Sequence, residues 1–531
     1  MRRRATDVGG RGAPVGASSP ATPVSRDNEP ILDADDIQGN ILGGFAKQFQ
    51  SVLFLKICNI SAFKRWLLPL KPRITSSAEV IACKHNPAHQ FGEQYQTAQG
   101  QTKTWINIAF SYNALNRLVG SGNHFADEAF QQGLAKRSVL LGDPISPQAE
   151  GNPQNWVVGG PNNEADAVLI LRTQNLRELF SEVALIKKGL GDNAARRLPV
   201  AARVIFTQHG YPSAPVGHEH FGFRDEISQP GIRGYLPSGE LLTPCENPQD
   251  ANHGKPGQQL IWPGEFVFGY PGQNPHAGLD VPGKDPLMGA APAWAKNGSF
   301  LVIRRLRQDV YKFHSFLKET GRKLGIAPRL VGAKLLGRWA SGTPLSAAPR
   351  TDNEVLGEDA YTNNNFTFQR TPPSANDGGD GHCPRSAHIR QIHPRDIRSH
   401  CGATFPNISD TQTHRILRRG IPYGSASQST PERPIKDAID RGLLFLAYQT
   451  SIQRQFEFII RRWANETNFP EPLSGHDPII GQNNVTSDRR RTFGILEGPN
   501  GTVTTRREWV IPTGGGYFFS PSISALEIIS K

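Results

Sequence analysis

The chain has 531 residues, 37% of them hydrophobic, and a formal net charge of +12. That length suits two domains with a sizeable core, and no apolar run approaches the length that spans a bilayer. The basic residues are scattered with no interleaved aromatic ladder, so the charge points to steering of anionic small molecules and argues against a nucleic-acid partner.

Residues 1–32 begin Met-Arg-Arg-Arg and continue in Gly, Pro, Ala, Ser and Thr. They read as a polar, disordered tail. The apolar h-region of a secretory signal is missing, which predicts a cytoplasmic or otherwise intracellular protein and leaves organelle targeting or unconventional secretion open. The five cysteines, at 58, 83, 245, 383 and 401, are odd in number and widely spaced, so no disulfide framework is indicated.

A first domain is predicted over 33–232. Val52–Ile57 reads as a strand, and Ala62–Leu68 as a helix that Pro69 should stop. Trp105–Phe110 alternates like a half-buried strand, and Ala167–Leu171 is a fully apolar one. The next helix aligns Leu176, Leu179, Phe180, Val183, Ile186 and Leu190 on one face, with Asn175 and Glu178 placed for a capping box. Arg203–Phe206 closes the unit. Alternating strands and helices in this order fit a split βαβ arrangement over an antiparallel sheet.

A second domain is predicted over 233–531, with loop-rich stretches at 233–298 and 341–381. Phe300–Arg305 is a strand, Val310, Phe313 and Leu317 mark a helix face, and Leu443–Tyr448 is another strand. Ile452, Phe456, Ile459, Ile460 and Trp463 share one face of a following helix. The similar grammar of the halves suggests an internal duplication. The fold class is therefore α+β, with two ferredoxin-like domains, antiparallel sheets and peripheral helices.

Three segments carry the chemistry. His388 stands in His-Cys-Pro-Arg-Ser-Ala-His-Ile-Arg, Arg418 in Leu-Arg-Arg-Gly-Ile-Pro-Tyr-Gly, and Asp225 in Phe-Gly-Phe-Arg-Asp-Glu-Ile-Ser-Gln-Pro. One histidine can hold a haem iron from below while an aspartate and an arginine act on peroxide from above. A zinc set drawn from His382, Cys383, His400 and Cys401, with His218 and His220 nearby, matches no closed zinc module.

Taken together, these segments resemble the dye-decolorising peroxidase family, its long fungal-type branch in particular. The resemblance runs from Asp36-Ile-Gln-Gly-Asn-Ile-Leu through Phe300-Leu-Val-Ile-Arg-Arg-Leu, the His388 and Arg418 segments, Gly442-Leu-Leu-Phe-Leu-Ala-Tyr-Gln and Gln455-Phe-Glu-Phe, to Asp477-Pro-Ile-Ile-Gly and Gly516-Tyr-Phe-Phe-Ser-Pro. It implies one haem b per chain, seated between the sheet and the helices of the second domain. His388 would be the proximal iron ligand and Asp477 its carboxylate partner. Asp225 would be the distal acid–base and Arg418 the distal cation. Arg419, one residue on, should face the other way. Leu444 and Leu446 would line the distal pocket, although alternate aliphatics in a strand also suit ordinary core. Gly420 stands where some branches carry Asn.

The implied function is reduction of hydrogen peroxide with oxidation of bulky dyes, phenolics or other aromatic reductants, at an acidic optimum because the base is a carboxylate. The reductant and the oligomeric state stay open. The sequence departs from the family at Glu226, where the motif has Gly. If that position needs φ > 0, Glu is strained or crowds the pocket. A second carboxylate there would also raise a pKa by repulsion. The alternative reading is a haem- or iron-porphyrin-binding protein with weak peroxidase activity.

Overall fold

The structure is a computed structural model. It describes residues 26, 28–45, 48–85, 103–120, 124–191, 200–212, 215–246, 252–368, 383–395, 408–484, 488–495 and 501–531. The first half supplies strands β1 (Phe49–Ile57), β2 (Trp105–Phe110), β3 (Ala167–Thr173) and β4 (Ala202–Gly210). Helices α1 (Ile60–Leu70), α2 (Tyr112–Val119) and α3 (Leu176–Gly189) connect them. The second half supplies β5 (Ser299–Gln308), β6 (Leu417–Arg418), β7 (Ile421–Tyr423), β8 (Gly442–Gln449) and β9 (Val510–Ser520). Helices α4 (Val310–Leu324), α5 (Pro328–Leu336) and α6 (His388–Ile392) belong to that half.

These nine strands form one antiparallel sheet in the order β4-β1-β3-β2-β9-β5-β8-β6, with β7 also beside β8. Each half thus lays its strands in the order fourth, first, third, second, the ferredoxin-like arrangement twice over. The halves join where Phe110 of β2 pairs with Phe519 of β9. The far edges also approach, since the Tyr211 N–H donates to the Pro422 carbonyl at 3.0 Å, but among the described residues no ladder joins them into a closed barrel.

This curvature explains a difference from the sequence reading. All six residues of β2 are buried, so it is covered on both faces. Ile106, Ile108 and Phe110 pack under the outer helices, while Trp105 and Ala109 face the interior between the halves. Strict alternation signals a half-exposed strand only when one face meets water. Asn59 caps α1 by accepting the Ala62 N–H, and the helix carries Pro69 in its last turn instead of stopping before it. Asn175 caps α3 through the Glu178 N–H at 2.8 Å, which is one half of the expected box.

The predicted helix after β8 is a short α-turn, Phe456–Phe458, running into a π-helix, Ile459–Ala464. Five-residue hydrogen bonds, such as Glu457 N to Ile452 O and Asn465 N to Ile460 O, widen its turns. Of the expected tail, 1–25 and 27 lie outside the described residues. The described part is packed: Glu29 pairs with Arg233 at 2.8 Å, and the Leu32 N–H donates to Tyr235 O at 2.9 Å. No helix among the described residues is long and apolar enough to cross a membrane.

Candidate active site

His388 is the first residue of α6. That helix is moored to the chain that follows the π-helix: Gln391 Nε2 donates to the carbonyls of Phe469 (3.2 Å) and Gly475 (2.6 Å). The mooring brings in Asp477, two residues past Gly475 and fully buried. Asp477 Oδ1 accepts the N–H groups of Ile479 and Ile480, both at 2.8 Å. Its Oδ2 lies 2.8 Å from His388 Nδ1. A carboxylate at that nitrogen holds the ring proton on Nδ1 and leaves Nε2 as a lone-pair ligand.

The His388 ring borders a cavity of about 300 Å³. One wall is the outer face of the second-half sheet, including Leu306, Leu443, Phe445 and Val510, and the other includes Ile392, Phe456 and Ile459. Asp225 and Arg418 line the same space. Asp225 arrives on the chain that leaves β4, and Arg418 ends β6. The Gln229 amide fixes the Arg418 backbone from both sides, accepting its N–H at 3.3 Å and donating to its carbonyl at 3.1 Å.

Arg418 Nη1 donates to Asp225 Oδ1 at 3.0 Å and Nη2 donates to Ser228 O at 3.1 Å. The Glu226 N–H also donates to Asp225 Oδ1, at 2.7 Å. One carboxylate oxygen is therefore held twice and Oδ2 is left to the cavity. Burial works to raise the Asp225 pKa. The Arg418 charge and the two hydrogen bonds, from the Glu226 N–H and from Arg418, outweigh it, and the group sits below the usual carboxylate value. The repulsive rise considered for a neighbouring carboxylate is not what governs Asp225.

Glu226 does occupy the left-handed region, with φ +64°. Its side chain is exposed and borders the cavity without filling it. Arg419 turns away from Arg418, as strand alternation requires, and donates to the carbonyls of Asn40, Ile41 and Leu42.

Leu444 and Leu446, expected at the distal pocket, do not line the cavity. Both are fully buried in the interior core between the halves. Their neighbours Leu443 and Phe445 line the cavity. Period-2 alternation identifies two faces but does not say which one meets the cavity when both are covered. Of the zinc set, His382, His400 and Cys401 lie outside the described residues; among the described residues no group of three or more His, Cys, Asp or Glu is placed to hold a metal ion.

Sequence reasoning missed three residues at the cavity wall. Glu219 is pushed up to about 7 by burial, with the Asp225 charge adding to it. Its oxygens accept the Phe221 and Phe223 N–H groups at 2.8 and 2.9 Å and the Gln308 amide, which shapes the turn leading to Asp225. Arg415, three residues before Arg418, forms no side-chain hydrogen bond or ion pair among the described residues, and burial draws its pKa down. His393 lies beside Ser228 Oγ at 3.3 Å, and burial followed by the Arg415 charge takes it well below the usual histidine value. The only advance signal for Arg415 was its place in the Arg418 segment. An iron macrocycle with apolar faces and acidic edge groups fits this set: apolar walls, one carboxylate-bonded imidazole, and an unpaired cation.

The chain matches two family models, the DyP dimeric alpha+beta barrel domain over residues 36–204 and the C-terminal domain of Dyp-type peroxidases over residues 340–476. It is 33% identical to Peroxidase 2 of Mycetinis scorodonius over 513 residues, which is 93% of this chain and 87% of that protein. Among solved structures it resembles an ancestral D-type dye-decolorizing peroxidase, with TM-score 0.76, 32% identity and coverage of 94% and 99% of the two chains. It also resembles a decolorizing peroxidase from Auricularia auricula-judae, with TM-score 0.72, 30% identity and coverage of 94% and 100%.

Proposed function

The chain belongs to the dye-decolorising peroxidase family and is a haem peroxidase, and on that premise we propose that His388, Asp477, Asp225 and Arg418 divide its chemistry between the two sides of one cavity. The observation that carries this reading is their convergence, a carboxylate-bonded imidazole and a bonded Asp–Arg pair lining the same 300 Å³ space.

When bound, the haem iron supplies the redox chemistry that cleaves peroxide and oxidises the reductant. His388 Nε2 would be the ligand, and Asp477 Oδ2 keeps the Nδ1 proton in place so that the ring stays oriented and electron-rich. Asp225 Oδ2, which has no partner among the described residues, would take a proton from hydrogen peroxide in the cavity and return it to the oxygen that leaves as water. The Arg418 guanidinium, always charged, offsets the negative charge that grows on that oxygen. Because Asp225 ionises below the usual range, it remains a base in acid, which supports an acidic optimum. Arg415, with His393 lining the same cavity, would be the partner for a haem carboxylate. The macrocycle is haem b, one per chain, and the reductants are bulky dyes and phenolic aromatics.

Purified protein is expected to show a Soret band, a pyridine haemochrome spectrum of haem b, and peroxide-dependent bleaching of an anthraquinone dye at acid pH. His388→Ala should abolish the native spectrum. If the spectrum and haem affinity survive that change, the assignment of the ligand is wrong.

A further inference from the structure

Arg418 reaches the cavity from the edge of the sheet. β6 pairs with β8 on one side only, with Leu417 opposite Tyr448 and Arg418 opposite Ala447. It ends the strand order, so among the described residues no strand lies beyond it. The bond back to β8 comes from the next residue, whose Arg419 N–H donates to Leu446 O at 2.7 Å. That alternation turns the N–H and carbonyl of Arg418 away from β8. A two-residue edge strand with outward backbone groups is weakly held unless something pairs them.

Gln229 pairs them. Its Oε1 accepts the Arg418 N–H at 3.3 Å and its Nε2 donates to the Arg418 carbonyl at 3.1 Å. A primary amide thus offers the acceptor and the donor that a neighbouring strand would. The carbonyl also accepts Arg419 Nη1 at 3.0 Å, whereas the N–H has Gln229 as its partner. Gln229 is fixed in turn: its own carbonyl accepts Gln258 Nε2 at 3.3 Å, and the buried Pro230 behind it favours an extended backbone at 229.

The same segment holds the guanidinium. Asp225 Oδ1 accepts Nη1 at 3.0 Å and Ser228 O accepts Nη2 at 3.1 Å. Residues 225–229 therefore grip Arg418 at both ends, the head through 225 and 228 and the backbone through 229. Asp225, Ser228 and Arg418 line the cavity, and Gln229 stands behind them.

We infer that Gln229 is a positioning residue for the peroxide step: its side-chain amide stands in for a strand beside β6 and sets the Arg418 guanidinium against Asp225. The inference rests on the peroxidase reading. Gln229 acts through Arg418. Without the amide the Arg418 backbone is free to shift, and the guanidinium meets both the departing oxygen and Asp225 less well. A weaker Arg418 contact leaves burial less opposed, so Asp225 ionises at higher pH. The other titratable groups bordering the cavity, among them Glu219, Glu226, His388 and His393, are the same in every variant below.

The test uses the haem-loaded enzyme as wild type, Gln229→Met, Gln229→Ala, Arg418→Leu and the double variant Gln229→Met with Arg418→Leu. Met keeps the length of the side chain and removes its donor and acceptor. Stopped-flow mixing with hydrogen peroxide across pH reads the rate and its acid limb. Both Gln229 single variants should lose about 10- to 100-fold in that rate with the Soret band retained. Their acid limb should move to higher pH, by less than in Arg418→Leu because the guanidinium remains. In the Arg418→Leu background, Gln229→Met should change the rate by less than about twofold, since no guanidinium is left to position. Hydrogen exchange of the Arg418 amide, measured without peroxide, should be slow in wild type and about tenfold faster in Gln229→Met. The inference is overturned if Gln229→Met keeps the wild-type rate and acid limb, or if it costs the same in both backgrounds, which would mark a general packing role. An Arg418 amide that exchanges like an exposed one in wild type overturns it too, even if the variants fail to fold. Absence of peroxide-dependent turnover in wild type would instead overturn the peroxidase reading, and the exchange comparison would still decide whether Gln229 holds Arg418.

Discussion

Asp477 Oδ2 stands 2.8 Å from His388 Nδ1, and the other oxygen of the same carboxylate is fixed by two backbone N–H groups. The carboxylate cannot rotate away without leaving both amides unpaired in a buried site, so the imidazole orientation is built into the turn at 477–480. Asp225 repeats the logic on the opposite side, with Oδ1 anchored and Oδ2 without a partner among the described residues.

Asp477→Asn retains the shape but not the charge. It should keep a Soret band, raise the iron reduction potential, and lower peroxide turnover by about 10- to 100-fold. Spectroelectrochemical titration beside steady-state kinetics checks this, and an unchanged potential would remove Asp477 from the role.

Asp225→Asn should lower the rate with peroxide by about 10²–10⁴-fold with the haem spectrum retained. Stopped-flow mixing with hydrogen peroxide reads that step apart from reductant oxidation. Equal rates in variant and wild type would place the base elsewhere.

The pH profile follows from Arg418. Asp225 works while ionised, so activity is present above its pKa and is lost as pH falls through it. Burial raises that value and Arg418 pulls it below the usual carboxylate range, so the acid limb should lie below that range. Arg418→Leu leaves burial unopposed by the guanidinium. Beyond its loss of rate, its acid limb should move to higher pH. A limb that does not move on normalised profiles would mean that another group titrates.

Leu446→Ala and Phe445→Ala separate the two faces of β8. Leu446 is fully buried in the interior core, so its truncation should cost about 2–5 kcal/mol of stability in denaturant unfolding and leave haem affinity near wild type. Phe445→Ala should instead alter haem affinity and the Soret position.

Glu226→Gly removes a side chain from a left-handed position and should stabilise the fold by about 1 kcal/mol. Thermal unfolding of the haem-loaded protein measures it. A loss of stability would show that the Glu226 charge outweighs the backbone strain.

The sequence by itself determined most strand positions and the repeated α+β grammar, and through its family resemblance it singled out His388, Asp477, Asp225 and Arg418, which the fold gathers about one cavity. Apolar periodicity and the chemical context of a segment are local properties, and each of these residues stands in a distinctive one. Only the tertiary structure decided which face of β8 meets the cavity, because a sheet covered on both sides gives alternation no solvent reference. It alone opened the helix after β8 into a π-helix through Glu457 and Asn465. It alone brought Arg415 to the cavity, bound Glu219 to the turn before Asp225, and set Arg419 on the carbonyls of residues 40–42. Those are encounters between segments tens to hundreds of positions apart. A charge or a hydrogen bond there depends on what the fold places beside it, and no local pattern records that.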